Sequence, residues 1–211
     1  MMNHIEILID RYPSLSVCRD GIEQAGAAII DCYRQGGKVL ICGNGGSCAD
    51  SDHIVGELMK GFRKKRQLPV ALKESLVNEG GQIGEKMADS LQASLSAINL
   101  CAHSALTTAF SNDVDPQLLF AQQVIGYARK NDVLIGLSTS GNAKNVIMAG
   151  IAAKASGALT IGMCGADKCD MDQYFDQVIH VPADETYIVQ ELHLPVYHTI
   201  CMIVEDYFFQ E

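Results

Sequence analysis

The sequence has no run of 18 uninterrupted apolar residues, which argues against a membrane span. Positive charge is scarce. Sixteen lysines and arginines stand against 25 aspartates and glutamates, a net charge of −9, which argues against broad nucleic-acid binding. An acidic chain that holds an anion must do so through local dipoles and a few bases. Residues 1–6 lack the basic and apolar regions of a signal peptide, so the expected compartment is the cytoplasm. No Pro/Ser-rich linker divides the chain, and 1–211 reads as one domain. Residues 1–35 contain no basic recognition helix, which argues against a DNA-reading regulator.

Eight cysteines are present. Cys42 and Cys201 lie inside apolar runs and read as small core residues. Cys164 and Cys169 have a C-x4-C spacing with no second pair downstream. That leaves two readings: half of a zinc knuckle, or free thiols in a loop at a strand end.

What is present is a pair of similar turns, Gly43-Asn44-Gly45-Gly46-Ser47 and Ser138-Thr139-Ser140-Gly141-Asn142. Each follows an apolar, β-branched run and precedes a helical pattern. Small residues let backbone N–H groups point at a ligand, and a helix N-terminus adds partial positive charge. Two such cradles suit one anionic, hydroxyl-rich ligand, the outline of a phosphosugar.

Five short apolar runs, 38–42, 96–101, 133–137, 159–163 and 178–181, suit buried parallel strands. Helical patterns cover 14–35, 48–60, 104–110, 117–130, 143–156 and 186–208. Alternation of this kind predicts an α/β fold with helices on both faces of a parallel sheet. Ligands in such folds gather beyond the carboxyl ends of the strands, where both turns lie. Residues 63–95 fit least well. They begin with the basic run Arg63-Lys64-Lys65-Arg66, pass a polar stretch, and end in a short helix from about 85 to 95. The segment reads as an excursion, either a lid or a solvated loop, and the basic run as an ordinary solvated surface.

His53 and Glu57 are spaced i, i+4 and share one helix face, as a proton-transfer pair or as metal ligands would. The last helical segment carries Gln190, Glu191, His193 and His198 among apolar residues. Buried polar groups need partners, which makes a site there more plausible than a plain core helix. Gln190 and His198 are about 12 Å apart along a straight helix. They therefore lean toward one ion, with Pro195 bending the helix, or they serve different sites.

The ordered set of Gly43 to Ser47 with Ala49-Asp50, His53 and Glu57, then Ser111-Asn112-Asp113, then Ser138 to Asn142, then Gln190-Glu191 with His193 and His198 resembles the sugar isomerase (SIS) family. Within it, the set is similar to phosphoheptose isomerases. The resemblance implies a three-layer αβα sandwich with a five-stranded parallel sheet, and a homotetramer with active sites at subunit interfaces. It implies interconversion of sedoheptulose 7-phosphate and D-glycero-D-manno-heptose 7-phosphate through an enediol. Glu57 and His198 match the family's acid/base pair. His53, Glu57, Gln190 and His198 match the positions that hold one zinc per site in metal-containing members; no organic cofactor is implied. Asn44, Gly45, Gly46, Ser47, Asn112, Asp113, Ser138, Thr139, Ser140, Asn142 and Gln190 match substrate-binding positions. Some relatives are non-catalytic scaffolds that lack the histidine matching His198, and others isomerise different sugar phosphates. Two departures stand out: Ala143 replaces the third serine of the phosphate loop, and His103 replaces an aspartate.

Overall fold

The computed structural model describes residues 4–209. Residues 1–3, where half of the signal-peptide reading falls, lie outside the described residues. The chain opens with α1 (His4–Arg11), a 3-10 turn (Pro13–Cys18) and α2 (Arg19–Arg34). The first strand, β1 (Val39–Gly43), leads into α3 (Gly46–Met59). A helical hairpin follows, α4 (Val70–Gly80) and α5 (Gln82–Ser90), then β2 (Ala97–Asn99), α6 (Ser104–Asp113) and α7 (Leu119–Tyr127). The second half runs β3 (Val133–Leu137), α8 (Lys144–Ala155), β4 (Leu159–Cys164), α9 (Met171–Tyr174), β5 (Gln177–His180) and α10 (Thr186–Phe208).

The five strands form one parallel sheet in the order β2-β1-β3-β4-β5. Alternate residues of each strand enter opposite cores, as the pleat requires. Val39, Ile41, Val133, Ile135, Ile161 and Met163 join the core beneath α1, α2, α3 and α10. Leu40, Cys42, Leu134 and Cys164 join the core beneath α7, α8 and α9. The result is the expected three-layer sandwich, with both sheet faces covered.

The strands expected from the apolar runs all form, within a few residues of the predicted ends. The expected helix 14–35 divides, because the turn at Pro13 adopts 3-10 geometry before α2 begins. Residues 63–95 are not a featureless loop. Gly81, at φ +53°, reverses the chain between α4 and α5, which pack on each other, and Gln67 bridges Gln92 at the base of the hairpin. The predicted helix at 85–95 is α5, shifted toward the N-terminus. α4 was invisible as an amphipathic pattern because it buries none of its residues.

The basic run is not simply a solvated surface. Arg66 is fully buried, donating Nε to Glu205 Oε1 at 2.8 Å. Its Nη1 and Nη2 donate to the carbonyls of Leu58 and Glu57 at 2.6 and 2.7 Å. It therefore satisfies the last carbonyls of α3 and ties that helix end to α10. Lys64 bonds Asp206 and the Phe209 carbonyl. Among the described residues no helix is long and apolar enough to cross a membrane.

Candidate active site

Both turns lie beyond the carboxyl ends of neighbouring central strands, β1 and β3. In the first, Gly45 has φ +56°, a left-handed conformation that favours glycine. Gly43 is required for a different reason: a Cβ there would come within 2.7 Å of the Ser47 Cβ. Ser47 is buried, and its N–H donates to the Asn44 carbonyl at 3.0 Å. Asn44 and Asn145 exchange side-chain hydrogen bonds of 2.9 Å in both directions. That pair joins the first turn to the start of α8 beyond the second, a link the sequence did not disclose.

In the second turn Ser138 is buried, and its N–H donates to the Met163 carbonyl at 3.1 Å. Thr139 is half-buried, whereas Ser140 and Asn142 are exposed. The Asn142 N–H donates to Ser140 Oγ at 3.2 Å, and Asn142 Oδ1 accepts from the Asp170 N–H at 2.8 Å. α8 begins beyond this turn with Ala143 at its N-cap and no side-chain cap. Its N-terminal dipole is thus aimed at the turn without a competing hydroxyl. Asn112 and Asp113 occupy the last turn of α6, exposed and hydrogen-bonded to each other at 2.9 Å. His103 precedes α6 and stacks on Tyr127, whose hydroxyl lies 3.3 Å from its Nε2.

The titratable groups converge where α3 meets α10. His53 Nε2 lies 3.2 Å from Glu57 Oε1 and 3.3 Å from His198 Nε2. Glu57 is buried, and its second oxygen has no hydrogen-bond partner among the described residues; Lys60 Nζ is 3.7 Å away. Burial holds the His198 ring below its ordinary value, against the opposing pull of Glu57. Two residues given no site role in the sequence orient His53. Tyr197 Oη donates to Asp50 Oδ1 at 3.2 Å and stands 3.0 Å from His53 Nδ1. With the phenol proton committed to Asp50, Nδ1–H of His53 donates to Tyr197, and the ring in its neutral form then presents an Nε2 lone pair. Their positions, Asp50 one helical turn before His53 and Tyr197 beside His198, were the available signal.

An unprotonated Nε2 between a carboxylate oxygen and a second imidazole is satisfied only by a shared proton or a cation. His53, Glu57 and His198 are residue types that hold a divalent metal such as zinc, although their ligand atoms do not all lie within 4.8 Å of one another. Gln190 sits elsewhere on α10, against the first turn: a Cβ on Gly46 would lie 2.5 Å from its Nε2. His193 faces the core. Burial pulls its ring down to about 4, with the Cys164 backbone opposing weakly, and neither ring nitrogen has a well-formed hydrogen bond among the described residues.

A second cluster lies beside the Ser138 turn. Cys164 Sγ is 3.6 Å from Cys169 Sγ and 3.4 Å from His180 Nδ1. These three are the group of metal-ligating residues found among the described residues with all ligand atoms within 4.8 Å of one another. The free-thiol reading of the sequence had no means of placing His180 there.

Comparison with known proteins agrees with this geometry. The SIS domain family matches residues 87–203, and a second SIS domain description matches 16–90. A phosphoheptose isomerase from Clostridium acetobutylicum is 36% identical over 200 residues, covering 92% of this chain and 89% of that one. One from Campylobacter jejuni is 33% identical over 192 residues, with 91% and 89% covered. The solved phosphoheptose isomerase of Neisseria gonorrhoeae superposes with a TM-score of 0.75 at 28% identity, covering 96% of this chain and 95% of that one. That of Francisella tularensis gives 0.77 at 26% identity, with 96% and 94% covered. On the family match and these relatives, the chain belongs to the SIS domain family and, within it, to the phosphoheptose isomerases.

Proposed function

We infer that the protein is an aldose–ketose isomerase that converts sedoheptulose 7-phosphate to D-glycero-D-manno-heptose 7-phosphate. The observation that carries this reading is the convergence of His53, Glu57 and His198 beside two small-residue turns, in a chain whose relatives are named phosphoheptose isomerases. Ser138, Thr139, Ser140 and Asn142 hold the phosphate, aided by the N-terminus of α8. Asn44, Gly45, Gly46, Ser47 and Gln190 hold the sugar end, with Asn112 and Asp113 as further hydroxyl partners.

The reaction moves a proton between C1 and C2 through an enediol. Glu57 takes the carbon-bound proton as a carboxylate, through its buried oxygen that accepts no hydrogen bond among the described residues. His198, neutral at the start, handles the proton at the carbonyl oxygen. His53 orients both, itself held by Tyr197. Zinc would be held by His53, Glu57 and His198; Gln190, the fourth residue the family resemblance offers, lies against the first turn. When bound it supplies Lewis-acid stabilisation to the developing negative charge.

The active assembly is a homotetramer with sites at subunit boundaries. The α4–α5 hairpin supports this: it leaves Val70, Leu72, Ile83, Met87 and Leu91 exposed. The protein acts in the cytoplasm on a small sugar phosphate, without nucleic acid or membrane. A panel of ketose phosphates, assayed with added zinc and with a chelator, tests the reading. Turnover of sedoheptulose 7-phosphate is expected; turnover of none of the panel would favour a phosphosugar-binding scaffold instead.

A further inference from the structure

We propose that Cys164, Cys169 and His180 form a second metal site, specific for a thiophilic divalent cation such as zinc, that fastens the Ser138–Asn142 turn. The inference does not depend on the isomerase reading, and none of the three ligands belongs to that site.

The geometry matches a tetrahedral ion. Bonds of about 2.3 Å to sulfur and about 2.0–2.1 Å to nitrogen place two sulfurs about 3.8 Å apart and a sulfur and a nitrogen about 3.6 Å apart. The observed separations are 3.6 Å between the two Sγ atoms and 3.4 Å from Cys164 Sγ to His180 Nδ1. The surroundings also match. His180 Nε2 lies 2.8 Å from Asp172 Oδ1, the carboxylate–histidine arrangement that aims the other ring nitrogen at a metal. The other oxygen of Asp172 accepts from the Cys169 N–H at 2.9 Å, so one carboxylate sets the orientation of two ligands.

His180 Nδ1 also lies 2.9 Å from the Gly165 carbonyl, to which it donates while it carries a proton. On metal binding that bond is given up. The Nδ1 proton moves to Nε2, toward Asp172, or leaves to solvent where Nε2 already carries one, and the two thiol protons leave to solvent. Cys169 and Asp172 line an open cleft together with Asn142, Lys168 and Asp170, which gives the ion a way in and leaves a fourth coordination position for water.

The role follows from what the ligands touch. Gly141 packs directly against Cys169 Sγ, its N–H donates to Ser138 O, and its carbonyl accepts from the Met171 N–H. A cation joining β4, β5 and the 165–171 loop would hold the turn from beneath.

The test uses the full chain, reduced and stripped by a chelator, then titrated with Co²⁺ alone. The native protein and His53→Ala should both develop a sulfur-to-cobalt charge-transfer band and a higher melting temperature. Cys164→Ser/Cys169→Ser should lose the band and, when combined with His53→Ala, the rise in melting temperature as well; Cys169→Ser alone should show a weaker band if the double variant does not fold. Absence of the band in the reduced native protein overturns the proposal. So does a band that survives in the double variant, since it would place the thiolates elsewhere, for example at Cys48 and Cys101, which interact with each other.

Discussion

Tyr197 Oη stands 3.0 Å from His53 Nδ1 and joins it to Asp50, so a residue outside any recognisable motif decides which nitrogen of His53 faces the cleft. Tyr197→Phe removes that constraint while keeping the buried ring. Zinc affinity is expected to fall by about 10–100-fold, the usual cost of losing such an outer partner. Competition with a chromophoric chelator measures it. Native affinity and native turnover in this variant would mean that the tautomer is set by something else.

Glu57→Gln keeps the shape of the side chain and removes its charge. Turnover should fall by about 10²–10⁴-fold, the range for losing a general base. The melting temperature should change little, because one of the Glu57 oxygens has no partner to lose. Rapid turnover by the glutamine variant would exclude Glu57 as the base on carbon.

The ion pair of Arg66 and Glu205 makes a prediction about stability. Removing either partner alone leaves a buried charge, at a cost of about 3–5 kcal/mol. Replacing both by apolar residues should cost less, measurable by urea unfolding. Burial resists the charge on Glu205, but the Phe62 and Arg63 N–H groups and Arg66 outweigh it and hold the carboxyl below its usual range. A depressed carboxyl stabilises the fold fully above the unfolded value of about 4.3 and loses that contribution as pH falls through the folded value. Acid unfolding should therefore begin at higher pH in Glu205→Gln, with the shallower pH dependence of a missing titration.

Gly46→Ala separates function from stability. The added Cβ would lie 2.5 Å from Gln190 Nε2 and must displace it. Only the far end of a flexible side chain has to move, so the melting temperature should change little. KM for the sugar phosphate should rise several-fold. An unchanged KM would show that Gln190 need not lie against the first turn.

The sheet was legible in the sequence because parallel strands buried on both faces are continuous apolar runs, and Val133 to Leu137 needs no partner to be recognised as one. The helices of the core were legible for the same reason. α4 was not: with every side chain outside the core, it imposes no periodicity on its sequence. Arg66 was misread because its charge argues for solvent, and only Glu205, 139 residues away in sequence, reverses that.

Chain-local physics is what the sequence determined by itself: the strand runs, the two small-residue turns that follow β1 and β3, and the i, i+4 spacing of His53 and Glu57. These depend on neighbours within a few residues. Long-range pairing was decided only in the tertiary structure. It brings His198 to His53, Asn145 to Asn44, Tyr197 to Asp50, and His180 with Asp172 to the Cys164–Cys169 pair. Each pair joins segments that meet only once the sheet order β2-β1-β3-β4-β5 has been set, because adjacency across strands is a property of topology and not of composition.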